Sequence, residues 1–118
     1  ENNTLAQSAY GSDHISERHR HRYEFNNNYK TALESVGIKF SGVSIDNELM
    51  EIIEIPSHQW FFAVQFHPEF QSSLLNPNPI FSAFVEHLVK NNASKSDNLN
   101  FMFDQNIINE SSNFELQS

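Results

Sequence analysis

The chain has 118 residues, which suits one small domain or part of a larger one, and its 38% hydrophobic and 13% aromatic content is enough to build a core. A formal charge of -8 is poorly matched to a phosphate backbone and argues against nucleic-acid binding. There is no cysteine, so disulfides, thiolate metal sites and a cysteine nucleophile are excluded within these residues.

No apolar run approaches the roughly 20 residues needed to span a bilayer, and no signal-peptide pattern opens the chain, so a cytoplasmic setting is expected. The first residue is Glu1 rather than methionine, which fits a fragment or a processed piece. Residues 1–16, "ENNTLAQSAYGSDHIS", are polar and aperiodic and read as a loop left from an upstream segment. From Glu17 to Glu24 two kinds of residue alternate, as on a strand: Arg18, Arg20, Arg22 and Glu24 on one face, His19, His21 and Tyr23 on the other.

A helix follows. Asn26 or Asn27 can cap it, Tyr29, Ala32, Leu33 and Val36 recur at helical spacing, and Gly37 suits the left-handed position that ends a helix. "IKFSGVSI" and "ELMEIIEI" are β-rich runs separated by Asp46-Asn47, which tolerates the positive φ of a tight turn, so they predict an antiparallel hairpin. "WFFAVQF" is nearly continuous in apolar residues, the pattern of an inner strand buried on both faces. Asn78 and Pro79 then open a second helix, with Ile80, Phe81, Phe84, Val85 and Leu88 as its buried stripe. Residues 91–118 are rich in Asn and Ser and read as a disordered tail.

Two clusters could carry chemistry. The apolar run ends at His67-Pro68-Glu69. In an extended segment residues i and i+2 project to one side, and Pro68 stiffens the spacing. A carboxylate that accepts the Nδ1 proton of an imidazole fixes its tautomer and leaves Nε2 to act as a base. The plainer alternative is a loop histidine in an ordinary hydrogen bond. In "ERHRHRYE", three arginines on one face repel one another unless anions meet them. One reading is recognition of a substrate carboxylate by a guanidinium fork; the other is pairing of Arg18 and Arg20 with Glu17 and Glu24. His19 and His21 make an incomplete metal set, and no further basic cluster supports an RNA site. His14, His58 and His87 have no evident partner and read as surface or packing residues, and Trp60 reads as core.

"ERHRHRYEFNN", "FSGVSIDNELMEIIEIPSHQWFFAVQFHPEFQS" and "NPIFSAFVEHLVK" together resemble the C-terminal part of the class I glutamine amidotransferase domain of the CTP synthase family, over residues 17–90. His-Pro-Glu is shared by class I amidotransferases generally, GMP synthase and carbamoyl-phosphate synthetase among them, whereas "RHRHRYE" points to CTP synthases. The resemblance implies the C-terminal portion of a flavodoxin-like α/β domain, incomplete on its own. It implies an enzyme of pyrimidine biosynthesis, a homotetramer that aminates UTP to CTP with ATP and Mg²⁺, taking ammonia from glutamine and activated by GTP. No cofactor is expected on this chain itself. His67 and Glu69 match two members of the family's Cys-His-Glu triad, and Arg22 matches the arginine that contacts bound glutamine.

The family's cysteine sits in a Gly-rich elbow upstream of "RHRHRYE", and residues 1–16 contain nothing like it. The synthetase segment with its UTP and ATP sites is also outside these residues. The chain is therefore expected to be inactive and poorly folded by itself, as the fragment or truncated form of a longer enzyme. Two alternatives stand beside this: a segment of another class I amidotransferase such as the GMP synthase type, or a non-catalytic interaction module.

Overall fold

The computed structural model describes residues 3–95. Its first compact unit, Glu1–Phe84, contains a small mixed fold. In chain order it comprises α1 (Leu5–Tyr10), a 3₁₀ turn (Asn27–Tyr29) running into α2 (Lys30–Ser35), β1 (Lys39–Val43), β2 (Met50–Glu54), β3 (Phe62–Val64) and a 3₁₀ turn (Pro68–Gln71). The unit closes within a helix, α3, that spans 79–95.

α1 corrects the expectation of a loop over 1–16. The Thr4 hydroxyl accepts from the Gln7 amide at 3.1 Å, and Gly11, at φ 65°, ends the helix by donating its N–H to the Gln7 carbonyl. A six-residue helix is marginal on its own. Here the buried carboxylate of Glu54 accepts from the free amides of Leu5 and Ala6, each at 2.8 Å. That partner lies 48 residues or more away in sequence, beyond the reach of local pattern.

The hairpin forms as expected. β1 and β2 pair antiparallel, and Asn47 takes φ 60° in the turn, where the Asn47 amide donates to the Ser44 carbonyl. The register shifts at Gly42, which packs against Ile52 too closely for any side chain: a Cβ there would lie 2.5 Å from two Ile52 carbons. β3 joins the other side of β2, also antiparallel, giving the order β1-β2-β3.

β3 corrects the expected inner strand. It is three residues long, only half-buried, and among the described residues it pairs with β2 alone. The core is correspondingly thin. Ala6, Ile52, Phe66 and Ile80 form one buried cluster, with Tyr10, Phe62 and Val64 packed against it. Phe40 and Met50 are buried at the hairpin, where the Phe25 ring meets Phe40 at 5.0 Å.

The helical stripes are likewise less buried than their periodicity predicts. Tyr29 and Val36, which flank α2, are exposed, and in α3 only Ile80 of the expected stripe is buried, with Phe81 and Phe84 exposed. Periodicity shows which face a helix would bury but not whether a partner is present to cover it. The start of α3 is as expected: Asn78 Oδ1 accepts from the Ile80 amide at 3.0 Å and Pro79 occupies the first helical position. In the second unit, residues 91–95, expected to begin the tail, continue the helix, and the Asn91 side-chain Nδ2 donates to His87 Nε2 at 2.6 Å. The rest of the expected tail, 96–118, lies outside the described residues.

Candidate active site

β3 ends at Val64, and the chain passes through buried Phe66 to His67. The His67 backbone N–H donates to the Arg18 carbonyl at 2.9 Å. This is where the Glu17–Glu24 segment meets the sheet end. That segment is not a strand: it has no ladder, and residues 14–21 carry no regular structure. The alternation still has local meaning, because the His19 and His21 rings lie on one side, with centroids 5.0 Å apart.

Pro68 starts the 3₁₀ turn, with His67 at φ -107° and ψ 87° as its cap. The turn folds Glu69 back so that its Oε1 lies 2.7 Å from His67 Nδ1. The expectation that an extended segment brings the two side chains together is thus corrected in its cause: a proline-initiated turn does so. The Phe70 ring stacks on the imidazole at 4.8 Å and 16°, fixing the ring plane. The His67 and Glu69 side chains are 41% and 55% exposed, so the pair opens to solvent.

With Nδ1 hydrogen-bonded to a carboxylate, that nitrogen carries the proton, and Nε2 has no hydrogen-bond partner among the described residues. The bond from His67 holds the Glu69 carboxyl below its ordinary range, helped by a backbone amide. Chemically, the pair is an imidazole oriented by a carboxylate, with Nε2 free to accept a proton.

Arg22 sits exposed at a bend and forms no ion pair with an acidic side chain among the described residues. Arg18 and Arg20 are also exposed, and the alternative reading, in which they pair with Glu17 and Glu24, is not realised among the described residues. Glu17 turns inward instead. Its Oε1 accepts from the Tyr10 hydroxyl and from Asn78 Nδ2, both at 2.6 Å. Burial and the adjacent Glu17 push the Tyr10 hydroxyl well above its usual range. His21 bonds to Glu51 Oε1 at 3.1 Å and to the Tyr23 carbonyl at 3.0 Å. Sequence reasoning missed the Glu17 and Glu51 contacts because their partners are distant in sequence. His58 Nδ1 faces the backbone of Trp60 in a surface turn.

A separate cavity of about 330 Å³ is lined by Trp60, Phe61, Phe62, Ile80, Phe81 and Phe84. It contains no titratable side chain and is distinct from the His67–Glu69 pair, so it offers no acid–base chemistry. Among the described residues no cluster of three or more His, Asp or Glu side chains could hold a metal ion.

The family pattern described as glutamine amidotransferase class-I matches residues 2–87. A CTP synthase of Mycoplasma capricolum subsp. capripneumoniae is 52% identical over 92 residues, spanning 78% of this chain and 93% of that relative. The chain belongs to the class I glutamine amidotransferases, in their CTP synthase branch.

Longer CTP synthases agree. That of Bacteroides thetaiotaomicron is 54% identical over 83 residues, which is 70% of this chain and 16% of the relative. The glutaminase domain of Trypanosoma brucei CTPS with bound acivicin superimposes with a TM-score of 0.68 at 35% identity, over 76% of this chain and 36% of that one. The chain thus spans a minor share of both the long CTP synthases and the glutaminase domain that it resembles. The amidotransferase match also reaches back to residue 2, earlier than the motifs at Glu17 suggest. Among the described residues no helix is long and apolar enough to cross a membrane.

Proposed function

We propose that this chain supplies the histidine–carboxylate pair of a glutamine-hydrolysing site in a CTP synthase. The observation that carries the reading is the 2.7 Å bond from His67 Nδ1 to Glu69, with Nε2 left free. Glu69 holds the imidazole in one tautomer, and Nε2 takes the proton of a thiol nucleophile. The thiolate attacks the side-chain amide carbon of glutamine, and His67 returns the proton to nitrogen as ammonia leaves. Water then hydrolyses the thioester, deprotonated by the same Nε2. No residue of this chain is a cysteine, so the thiol comes from outside these 118 residues.

Arg22 is the residue proposed to meet the α-carboxylate of glutamine. Its support is an exposed guanidinium without a carboxylate partner among the described residues, whose fork matches a carboxylate in bidentate fashion. The ammonia released is proposed to aminate UTP at a separate ATP- and Mg²⁺-dependent synthetase site, with GTP as activator, in a cytoplasmic homotetramer.

The test is a paired assay in the complete enzyme that carries this segment, with glutamine or added ammonia as nitrogen source. Substituting His67 or Glu69 lowers the glutamine reaction and spares the ammonia reaction. Equal loss of both contradicts the assignment.

A further inference from the structure

Residues 17 and 18 touch both ends of the segment that carries the His67–Glu69 pair. At one end, the Arg18 carbonyl accepts the His67 N–H at 2.9 Å. At the other, Glu17 Oε1 accepts from Asn78 Nδ2 at 2.6 Å. Asn78 is 2% exposed, its N–H donates to Ser72 Oγ at 2.9 Å, and its Oδ1 caps α3. The segment 67–78 is therefore a loop whose two ends are pinned to adjacent residues of one irregular stretch.

The pin at Glu17 is built from more than Asn78. The Tyr10 hydroxyl, at the end of α1, donates to the same oxygen at 2.6 Å. Two donors on one carboxylate oxygen make short, charge-assisted bonds that allow little lateral play. The other oxygen, Oε2, is buried and has no partner among the described residues. A helix cap needs no such arrangement, because Asn78 already caps α3 with its own Oδ1. The carboxylate contributes the fixed position of the 17–18 backbone relative to α1 and the start of α3.

We infer that Glu17 is a positioning residue for the glutamine reaction: through the Tyr10–Glu17–Asn78 node it sets the Arg18 carbonyl and hence the placement of His67. The inference rests on the proposed role of His67 as the base. The Glu17 carboxylate meets Tyr10 and Asn78 rather than the imidazole, and it acts through the backbone of its neighbour. A displacement of the base of about 1 Å is enough to cost large factors in rate.

The experiment compares Glu17→Ala, Glu17→Gln, Tyr10→Phe and His67→Ala in the complete enzyme. Ammonia release from glutamine and CTP formation from added ammonia are both measured. Glu17→Ala is expected to lower kcat for glutamine by about tenfold or more, with KM within about twofold of wild type and the ammonia reaction unchanged. Glu17→Gln, whose Oε1 can still accept from both donors, recovers most of the loss. A wild-type kcat in Glu17→Ala, a fall in kcat matched by a rise in KM, or no rescue by Glu17→Gln overturns the inference.

Should Glu17→Ala fail to fold, seen as parallel loss of the ammonia reaction, Tyr10→Phe decides. It removes one hydroxyl and keeps the ring, and it is expected to lower kcat about threefold at constant KM, consistent with the loss of one hydrogen bond; an unchanged kcat overturns the inference. His67→Ala separates the two layers. Retained glutamine activity in His67→Ala overturns the base assignment and this inference with it. Lost activity there, together with wild-type kcat in Glu17→Ala, overturns the inference alone.

Discussion

His67 Nδ1 lies 2.7 Å from Glu69 Oε1, and the residue between them, Pro68, creates the turn that closes this distance. The bond is made at the sheet end, where β3 runs out and the His67 amide reaches the Arg18 carbonyl. A short sequence motif and a contact between residues 49 positions apart therefore define one site.

The bond has an electrostatic signature at Glu69. Hydrogen bonding from His67 lowers the carboxyl pKa below the ordinary 4.5. A depressed folded-state value means the interaction contributes fully above the ordinary carboxylate pKa and is lost as pH falls through the folded value. Carboxyl carbon NMR of the complete enzyme should show Glu69 titrating below 4.5, and His67→Ala should move it back up. An unchanged midpoint in that variant argues against the contact.

Gly42 is required by its neighbour rather than by its backbone angle. A Cβ would meet Ile52, itself 2% exposed, at 2.5 Å. Gly42→Ala is expected to destabilise the hairpin by about 1–3 kcal/mol through overpacking. Amide hydrogen exchange at Ile52 and Ile53 is the readout, and unchanged protection there would mean that the bulge relaxes without cost.

Glu54 holds α1 through the amides of Leu5 and Ala6. Glu54→Ala leaves both donors without their acceptor, at about 1–3 kcal/mol for each that stays buried. The expected result is rapid exchange and proteolytic cleavage within Leu5–Tyr10, with Glu54→Gln intermediate because one amide oxygen can replace only part of the carboxylate.

Arg22 is proposed to bind the glutamine carboxylate, and lysine cannot reproduce its planar fork. Arg22→Lys should raise KM for glutamine about tenfold, the scale of one charge-assisted hydrogen bond, and leave ammonia-dependent synthesis unchanged. Steady-state kinetics with each nitrogen source decide it, and a defect confined to the ammonia reaction contradicts the role.

The features legible in the sequence are those encoded locally. The Asp46-Asn47 turn, the Asn78-Pro79 helix start and the proximity of His67 to Glu69 each depend on a few adjacent residues. Features decided by distant partners were not legible. α1 depends on Glu54, the inward turn of Glu17 on Asn78, and the failure of Glu17–Glu24 to become a strand on the lack of a ladder. The apolar faces of Tyr29, Val36, Phe81 and Phe84 follow helical period, but their exposure reflects what covers them, which period does not encode.

The measurement that bears most directly on the account is the ratio of glutamine-dependent to ammonia-dependent CTP formation in the complete enzyme with His67→Ala. Loss of a general base that also protonates the leaving ammonia should lower this ratio by about 10²-fold or more, with the ammonia-dependent rate itself near wild type. A ratio within about threefold of wild type, less than such a base contributes, would contradict the assignment of His67 and Glu69 as the pair that serves the thiol.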